Sequence, residues 1–269
     1  TIGAINFLVT IITMRCPGMK LTEVPMFVWS MVVTSAMVLF STPMITVALL
    51  LLFLDRNFNT VYFNIAGGGD PSIWQNLFWF YSHPAVYIMI LPVMGIISEI
   101  LPVFSRKPLF GYQFIAWSSV FIMILGFSVW AHHMFQVGSP LSVDTFFATA
   151  SMIIAVPTGI KIFNWIGTMW GGALRLTSAM LFSIGFIAMF IIGGISGVSL
   201  AIVPVNWQVH DTYYVVAHLH YVLFGGSVFG IYAGLYYWFP KMTGRKMNET
   251  LGKWHFWIHT LGFNLTFFG

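Results

Sequence analysis

Charge is what this chain has least of. Asp, Glu, Lys and Arg make up 7% of its 269 residues, against about 25% in an ordinary soluble domain. That scarcity excludes a soluble globular domain, a solvated charged tail and a basic surface for nucleic acid. Cysteine is nearly absent as well. Cys16 stands alone, which excludes a CxxC redox pair and an all-cysteine metal site. Internal repeats, heptads and low-complexity stretches are also missing. What the chain does hold is apolar: 58% of its residues are hydrophobic, and the mean hydropathy is +0.87.

Long apolar runs set the architecture. A helix needs about 20 apolar residues to cross a bilayer. Six stretches reach that length, approximately 27–54, 76–104, 112–137, 143–169, 178–203 and 211–239. Partial spans at 1–14 and 254–269 flank them. This predicts an all-α, polytopic transmembrane helical bundle, with 1–269 as a single membrane domain. Both ends fall inside apolar stretches, so the chain reads as an internal fragment. Breakers mark the joints: Cys16-Pro-Gly, Gly67-Gly-Gly-Asp-Pro, Arg106-Lys-Pro, Gly138-Ser-Pro and Met242-Thr-Gly. The basic loop residues Arg15, Lys20, Arg106, Lys107, Arg175, Lys241, Arg245, Lys246 and Lys253 then fall on one side. Only Arg56 falls on the other, so the positive-inside rule makes the first side cytoplasmic or matrix-facing. The net charge of +4 reflects this topology rather than an acidic partner.

Depth makes the histidines informative. His83, the pair His132-His133, and the pair His218 and His220 fall in one layer, roughly 7–14 Å below the outer surface. A lone histidine in a membrane helix serves equally well as a hydrogen bond to a neighbouring helix. Five at one depth would leave much imidazole to satisfy without ligands, which points to a buried metal centre. Imidazole suits copper, zinc and iron, and three histidines leave a position open for a small ligand. On a helix, His218 and His220 point about 200° apart, so they cannot chelate one ion together. They suit two cofactors, such as two hemes held through axial imidazole. Tyr87 follows His83 by four residues and shares its face, where a phenol could supply a proton and an electron. Its plain alternative is a hydrogen-bonded interfacial tyrosine.

Several strings carry a resemblance. Ser82-His-Pro-Ala-Val-Tyr-Ile-Met-Ile-Leu-Pro, Trp130-Ala-His-His-Met-Phe, Pro157-Thr-Gly-Ile-Lys and Val209-His-Asp-Thr-Tyr-Tyr-Val-Val-Ala-His-Leu-His-Tyr look like subunit I of the heme–copper oxidases. Asp55-Arg-Asn-Phe-Asn-Thr and Gly67-Gly-Gly-Asp-Pro match that family too. The match runs the whole length, in order, and implies a fragment of a twelve-helix fold. The resemblance implies roles. His83, His132 and His133 resemble ligands of the copper called CuB. His218 resembles the axial ligand of the high-spin heme, and His220 one ligand of the low-spin heme. Heme A is implied ahead of heme O or B. Tyr87 resembles the tyrosine that the family cross-links to the histidine standing here as His83. His210 and Asp211 resemble ligands of Mg²⁺ or Mn²⁺, where a solvated helix start would otherwise be the reading.

Proton supply follows the same logic. Lys161 lies inside a span, which is costly unless it is paired, hydrated or neutral. Its plain alternative is a lysine snorkelling to the inner surface. Thr158, Lys161 and Ser98 match the family's K-pathway toward Tyr87. Many members carry glutamate where Ala85 stands. Here Tyr81-Ser82 resembles the bacterial A2-type subgroup, in which hydroxyls replace that carboxylate. The implied activity is reduction of O₂ to water, coupled to proton uptake and pumping, in a bacterial cell membrane ahead of a mitochondrial one. Cytochrome c, ahead of quinol, is the implied donor, with oxidase subunits II and III as partners. A nitric oxide reductase relative is the first rival. It should lack Tyr87 and Lys161 and show extra buried glutamates, whereas Glu99 is the only glutamate inside the spans. A non-catalytic heme-binding scaffold is the second.

Overall fold

Apolar helices with few internal charges fold here into a bundle with no strands among the described residues. The computed structural model describes Thr1–Phe268, and Gly269, the last residue of the expected partial span, lies outside the described residues. Helices α1 (Ile2–Thr13), α2 (Met26–Phe58), α3 (Pro71–Ser105) and α4 (Tyr112–Gly126) come first. Then follow α5 (Leu141–Ile153), α6 (Ala155–Met169), α7 (Ser178–Leu200) and the short α8 (Val203–Val209). Helices α9 (Tyr213–Leu219), α10 (Phe229–Thr243) and α11 (Glu249–Phe267) complete the order. Among the described residues, five segments are long and apolar enough to cross a membrane: α2, α3, α5 with α6, α7, and α9 through α10.

Three of the expected spans are not continuous α-helix. The stretch 112–137 ends as α-helix at Gly126, and a separate 3₁₀ turn, Trp130–Met134, carries His132 and His133. Helix α4 closes with tightened bonds, Phe127 N–H to Ile124 O at 3.3 Å and Ser128 N–H to Leu125 O at 2.7 Å. Gly126 ends it against the Tyr87 ring, where a Cβ would stand 3.2 Å from the ring edge. Irregular backbone at membrane depth is tolerated only where protein covers it, and Ala131 and Met134 are buried. The stretch 143–169 breaks at Ile154, because Pro157 lacks the N–H that would bond the carbonyl four residues earlier. The stretch 211–239 starts at Tyr213 and passes into a π-helical segment, His220–Val228, before α10.

Packing centres on α3, which lies against α2, α4, α6, α7 and α10. Its start is pinned by Asp70, whose carboxylate accepts from the Ser72 hydroxyl at 2.7 Å and the Ser72 N–H at 2.8 Å. Those bonds, the hydroxyl first, hold the Asp70 carboxyl below the ordinary carboxylate range. The core is dense with aromatics: Trp165, Phe182, Phe186 and Phe229 are fully buried. Close approach needs small residues. A Cβ on Gly193 would meet the Val222 N at 2.8 Å, and one on Gly226 would meet the Ile90 side chain at 2.7 Å. Helix α7 and the π segment can therefore touch backbone to backbone.

Candidate metal centre

Helix α3 presents Trp79, His83 and Tyr87 at four-residue spacing, one above the other on a single face. The 3₁₀ turn brings His132 and His133 to that face. One ring nitrogen from each of His83, His132 and His133 lies within 4.8 Å of the others. The rings stand 4.3–5.4 Å apart between centroids. His83 is 5% exposed. Its Nδ1 lies 3.2 Å from His133 Nε2, while its Nε2 is buried with no hydrogen-bond partner. An orphaned buried imidazole nitrogen is costly without a ligand, so the trio fits a cation of the kind imidazole prefers.

Neighbours fix the orientation of each ring. His132 Nδ1 lies 2.6 Å from Ser151 Oγ on α5, and that hydroxyl donates to Phe147 O at 2.5 Å. The serine proton is thereby committed, so the network assigns the N–H to His132 Nδ1 and leaves Nε2 free to ligate. His133 stacks on Trp79 at 4.0 Å and 4°. The Trp79 indole N–H donates to Gln75 Oε1 at 2.9 Å. Tyr87 packs against His83 at 4.8 Å, tilted by 66°.

His218 and His220 diverge as their spacing requires. His218 closes α9 and turns toward α7, where its Nδ1 lies 2.9 Å from Gly193 O and 3.0 Å from Ser196 Oγ. His220 opens the π segment and faces α11, stacking on Phe267 at 3.9 Å and 12°. Its Nδ1 donates to Val216 O at 2.7 Å. In both rings the carbonyl takes the Nδ1 proton, and Nε2 keeps a lone pair free to ligate. A groove of about 550 Å³ runs along the His220 side, lined by Met89, Leu219, Leu223 and Phe224. Its apolar walls suit a flat macrocycle. Neither histidine joins the three-imidazole cluster.

The remaining residues fall into separate places. His210 ends α8 and Asp211 takes a left-handed turn with φ 59°, so Asp211 precedes the helix rather than starting it. His210 Nδ1 and Asp211 Oδ2 are 3.2 Å apart, and the carboxylate is exposed. Lys161 is 1% exposed, which excludes snorkelling to the inner surface. Its Nζ donates to Ser119 Oγ at 2.6 Å and Ile115 O at 2.9 Å, both on α4. Thr158 donates to Ile154 O, and Ser98 bonds Met94 O and the Trp165 indole. Among the described residues, no hydrogen bond joins Thr158, Lys161 and Ser98 to one another. Tyr81 and Ser82 sit half-buried in the turn before His83. Glu99 accepts from the Phe27 N–H at 3.3 Å and so caps the start of α2.

Sequence reasoning missed Trp79, Ser151 and Ser119. The first carried a signal, its four-residue spacing from His83. The two serines carried none, because their partners come from other helices.

Together the fold and cluster define a class: a polytopic α-helical membrane protein with a three-imidazole site of the metal-ligating kind, buried at His83 and half-buried at His132 and His133. Comparison narrows the class to a family. A family model described as "Cytochrome C and Quinol oxidase polypeptide I" matches residues 1–269. Cytochrome c oxidase subunit 1 of Synechocystis sp. is 58% identical over 99% of this chain and 48% of its own length. Its counterpart in Thermostichus vulcanus is 56% identical over 99% of this chain and 48% of its own length. The Cereibacter sphaeroides subunit is 49% identical over 99% of this chain and 47% of its own. A cryo-EM structure of a heme-copper terminal oxidase dimer shares the fold, with TM-score 0.76 and 22% identity over 89% of this chain and 45% of that one. The chain belongs to the cytochrome c and quinol oxidase polypeptide I family. It spans about half the length of the curated relatives it matches.

Proposed function

We propose that residues 1–269 form one membrane domain in the catalytic subunit of a terminal respiratory oxidase, which reduces O₂ to water with proton uptake and pumping. The observation that carries this reading is the trio His83, His132 and His133 with Tyr87 packed on His83. Copper on the trio and a heme iron on His218 would supply electrons and a binding position for O₂.

The chain's own residues do the rest. Ser151 and Gly193 O hold the Nδ1 protons of His132 and His218, which keeps both Nε2 atoms aimed and unprotonated. Val216 O does the same for His220, the ligand proposed for the low-spin heme in the adjoining groove. Tyr87 keeps a phenolic proton beside His83, where oxygen reduction needs protons delivered locally. Lys161, with Thr158 and Ser98, would carry protons from the basic side. Tyr81 and Ser82 would serve a second route through hydroxyls and water, since Ala85 offers no carboxylate. His210 and Asp211 would hold Mg²⁺ or Mn²⁺ with further ligands from elsewhere. Cytochrome c is the favoured donor over quinol, heme A the favoured heme, and a bacterial inner membrane the favoured location, with subunits II and III as partners.

Metal analysis with O₂ uptake on the purified complex tests the reading. Copper and iron together, with O₂ consumption abolished in Tyr87→Phe, are expected. Iron without copper overturns it. An optical spectrum taken with reduced cytochrome c and then with quinol identifies the donor.

A further inference from the structure

Lys161 is buried, yet among the described residues it hydrogen-bonds to none of the groups assigned to its route. Both of its hydrogen bonds go to α4, to Ser119 Oγ and to Ile115 O. The two acceptors lie four residues apart, so one turn of α4 offers both to the amine. The Ser119 hydroxyl itself donates to Ile115 O at 3.1 Å. Its proton is thereby committed, and its lone pair faces the lysine. Thr158 and Ser98 have spent their hydroxyl protons on backbone carbonyls of their own helices. Ser98 Oγ accepts from the Trp165 indole N–H at 2.9 Å. No group on α3 competes with Ser119 for the amine among the described residues.

From these contacts we propose that Ser119 is a positioning residue of the proton route. It anchors Lys161 against α4 at rest, and delivery toward Tyr87 requires the amine to exchange this hydroxyl for water. This rests on the reading of Lys161 as a proton carrier. The lysine gains one proton from the inner side and gives up one toward Tyr87, so nothing is oxidised or reduced. Without Ser119, one N–H of the buried amine has no acceptor, and the side chain no longer waits where the relay needs it.

Ser118 provides an internal control. It is equally buried and donates to the same carbonyl at 2.8 Å, but makes no hydrogen bond to Lys161. The experiment uses the complete purified complex and follows anaerobic reduction of the high-spin heme by an artificial reductant. Ser119→Ala is expected to slow that reduction roughly ten-fold, with copper content and heme spectrum unchanged. Ser119→Thr should recover most of the rate, and Ser118→Ala should match the wild type. If the alanine complex loses its hemes, Ser119→Cys carries the test, since it keeps the size but accepts weakly. It must then be slower than Ser119→Thr. A wild-type rate in Ser119→Ala or Ser119→Cys, or equal slowing in Ser118→Ala, overturns the proposal. Lys161→Met run in parallel separates the two readings: a wild-type rate there removes the carrier role itself.

Discussion

The hydroxyl of Ser151 decides which nitrogen of His132 faces the cluster. Ser151→Ala removes the acceptor for Nδ1–H and frees the ring to change tautomer. Loss of such an outer partner typically costs about 10–100-fold in metal affinity. Copper retained on dialysis of the complex against a chelator should fall accordingly, while heme content holds. Equal retention in mutant and wild type would sink the role given to Ser151. Tyr81→Phe deletes one hydroxyl four residues from Ala85 and nothing else. It should slow proton-coupled steps with metal content intact, and unchanged turnover and pumping would remove Tyr81 from the relay. At this scale the sequence was readable wherever partners share a helix. Trp79, His83 and Tyr87 recur every four residues and sit on one face. His132 with Ser151 and Lys161 with Ser119 join different helices. No local spacing encodes such pairs.

Helices α7 and α9 meet through a residue with no side chain. Gly193 lends its carbonyl to His218 and its empty face to Val222 and Tyr221. Gly193→Ala would push a methyl into backbone at 2.8–3.0 Å, which cannot yield as a flexible side chain would. The helices must part, and His218 must lose its anchor. The expected result is an altered high-spin heme spectrum with copper content retained, read on the purified complex. An unchanged spectrum would show that α7 does not orient His218. The start of α3 gives a pH test. The Asp70 carboxyl is depressed in the folded chain, so its contribution is present above the ordinary carboxylate range and lost as pH falls through the depressed value. The melting temperature of wild type should exceed that of Asp70→Ala at neutral pH, and the gap should close on acidification. The effect is small, because the group faces solvent. A gap that persists in acid would place the cap's value elsewhere. Helix ends like this one were legible from Asp70-Pro, whereas the π segment was not. Its glycines and aromatics suit an ordinary apolar helix, and Gly225 and Gly226 meet side chains of α3, α7 and α11, contacts that no local pattern announces.

For the molecule as a whole, sidedness is the property most open to direct test. Cys16 is the sole cysteine of this chain and is exposed, beside Arg15 in the basic loop before α2. A membrane-impermeant thiol reagent should label it in inside-out vesicles and leave it untouched in right-side-out ones. The reverse pattern would invert the topology and move the proton source to the other side. Apolar run length captured five of the six expected crossings, because burial of backbone in lipid leaves helices little freedom, while 112–137 holds only the 15-residue α4 as α-helix. It could not locate the interruptions, since Gly126, Ile154 and His220 mark places where tertiary contacts outvote the local pattern. The last of these has a geometric consequence. An α-helix fixes the angle between any two of its residues, so whatever orients His218 would also dictate how α10 lies against its neighbours. A π turn takes in an extra residue and shifts that angle. Placed directly after Leu219, the segment His220–Val228 acts as a phase adjuster. The half of this crossing before the π segment can turn its imidazoles where they are needed, while the half after it rotates independently to bury Phe229 and Ala233.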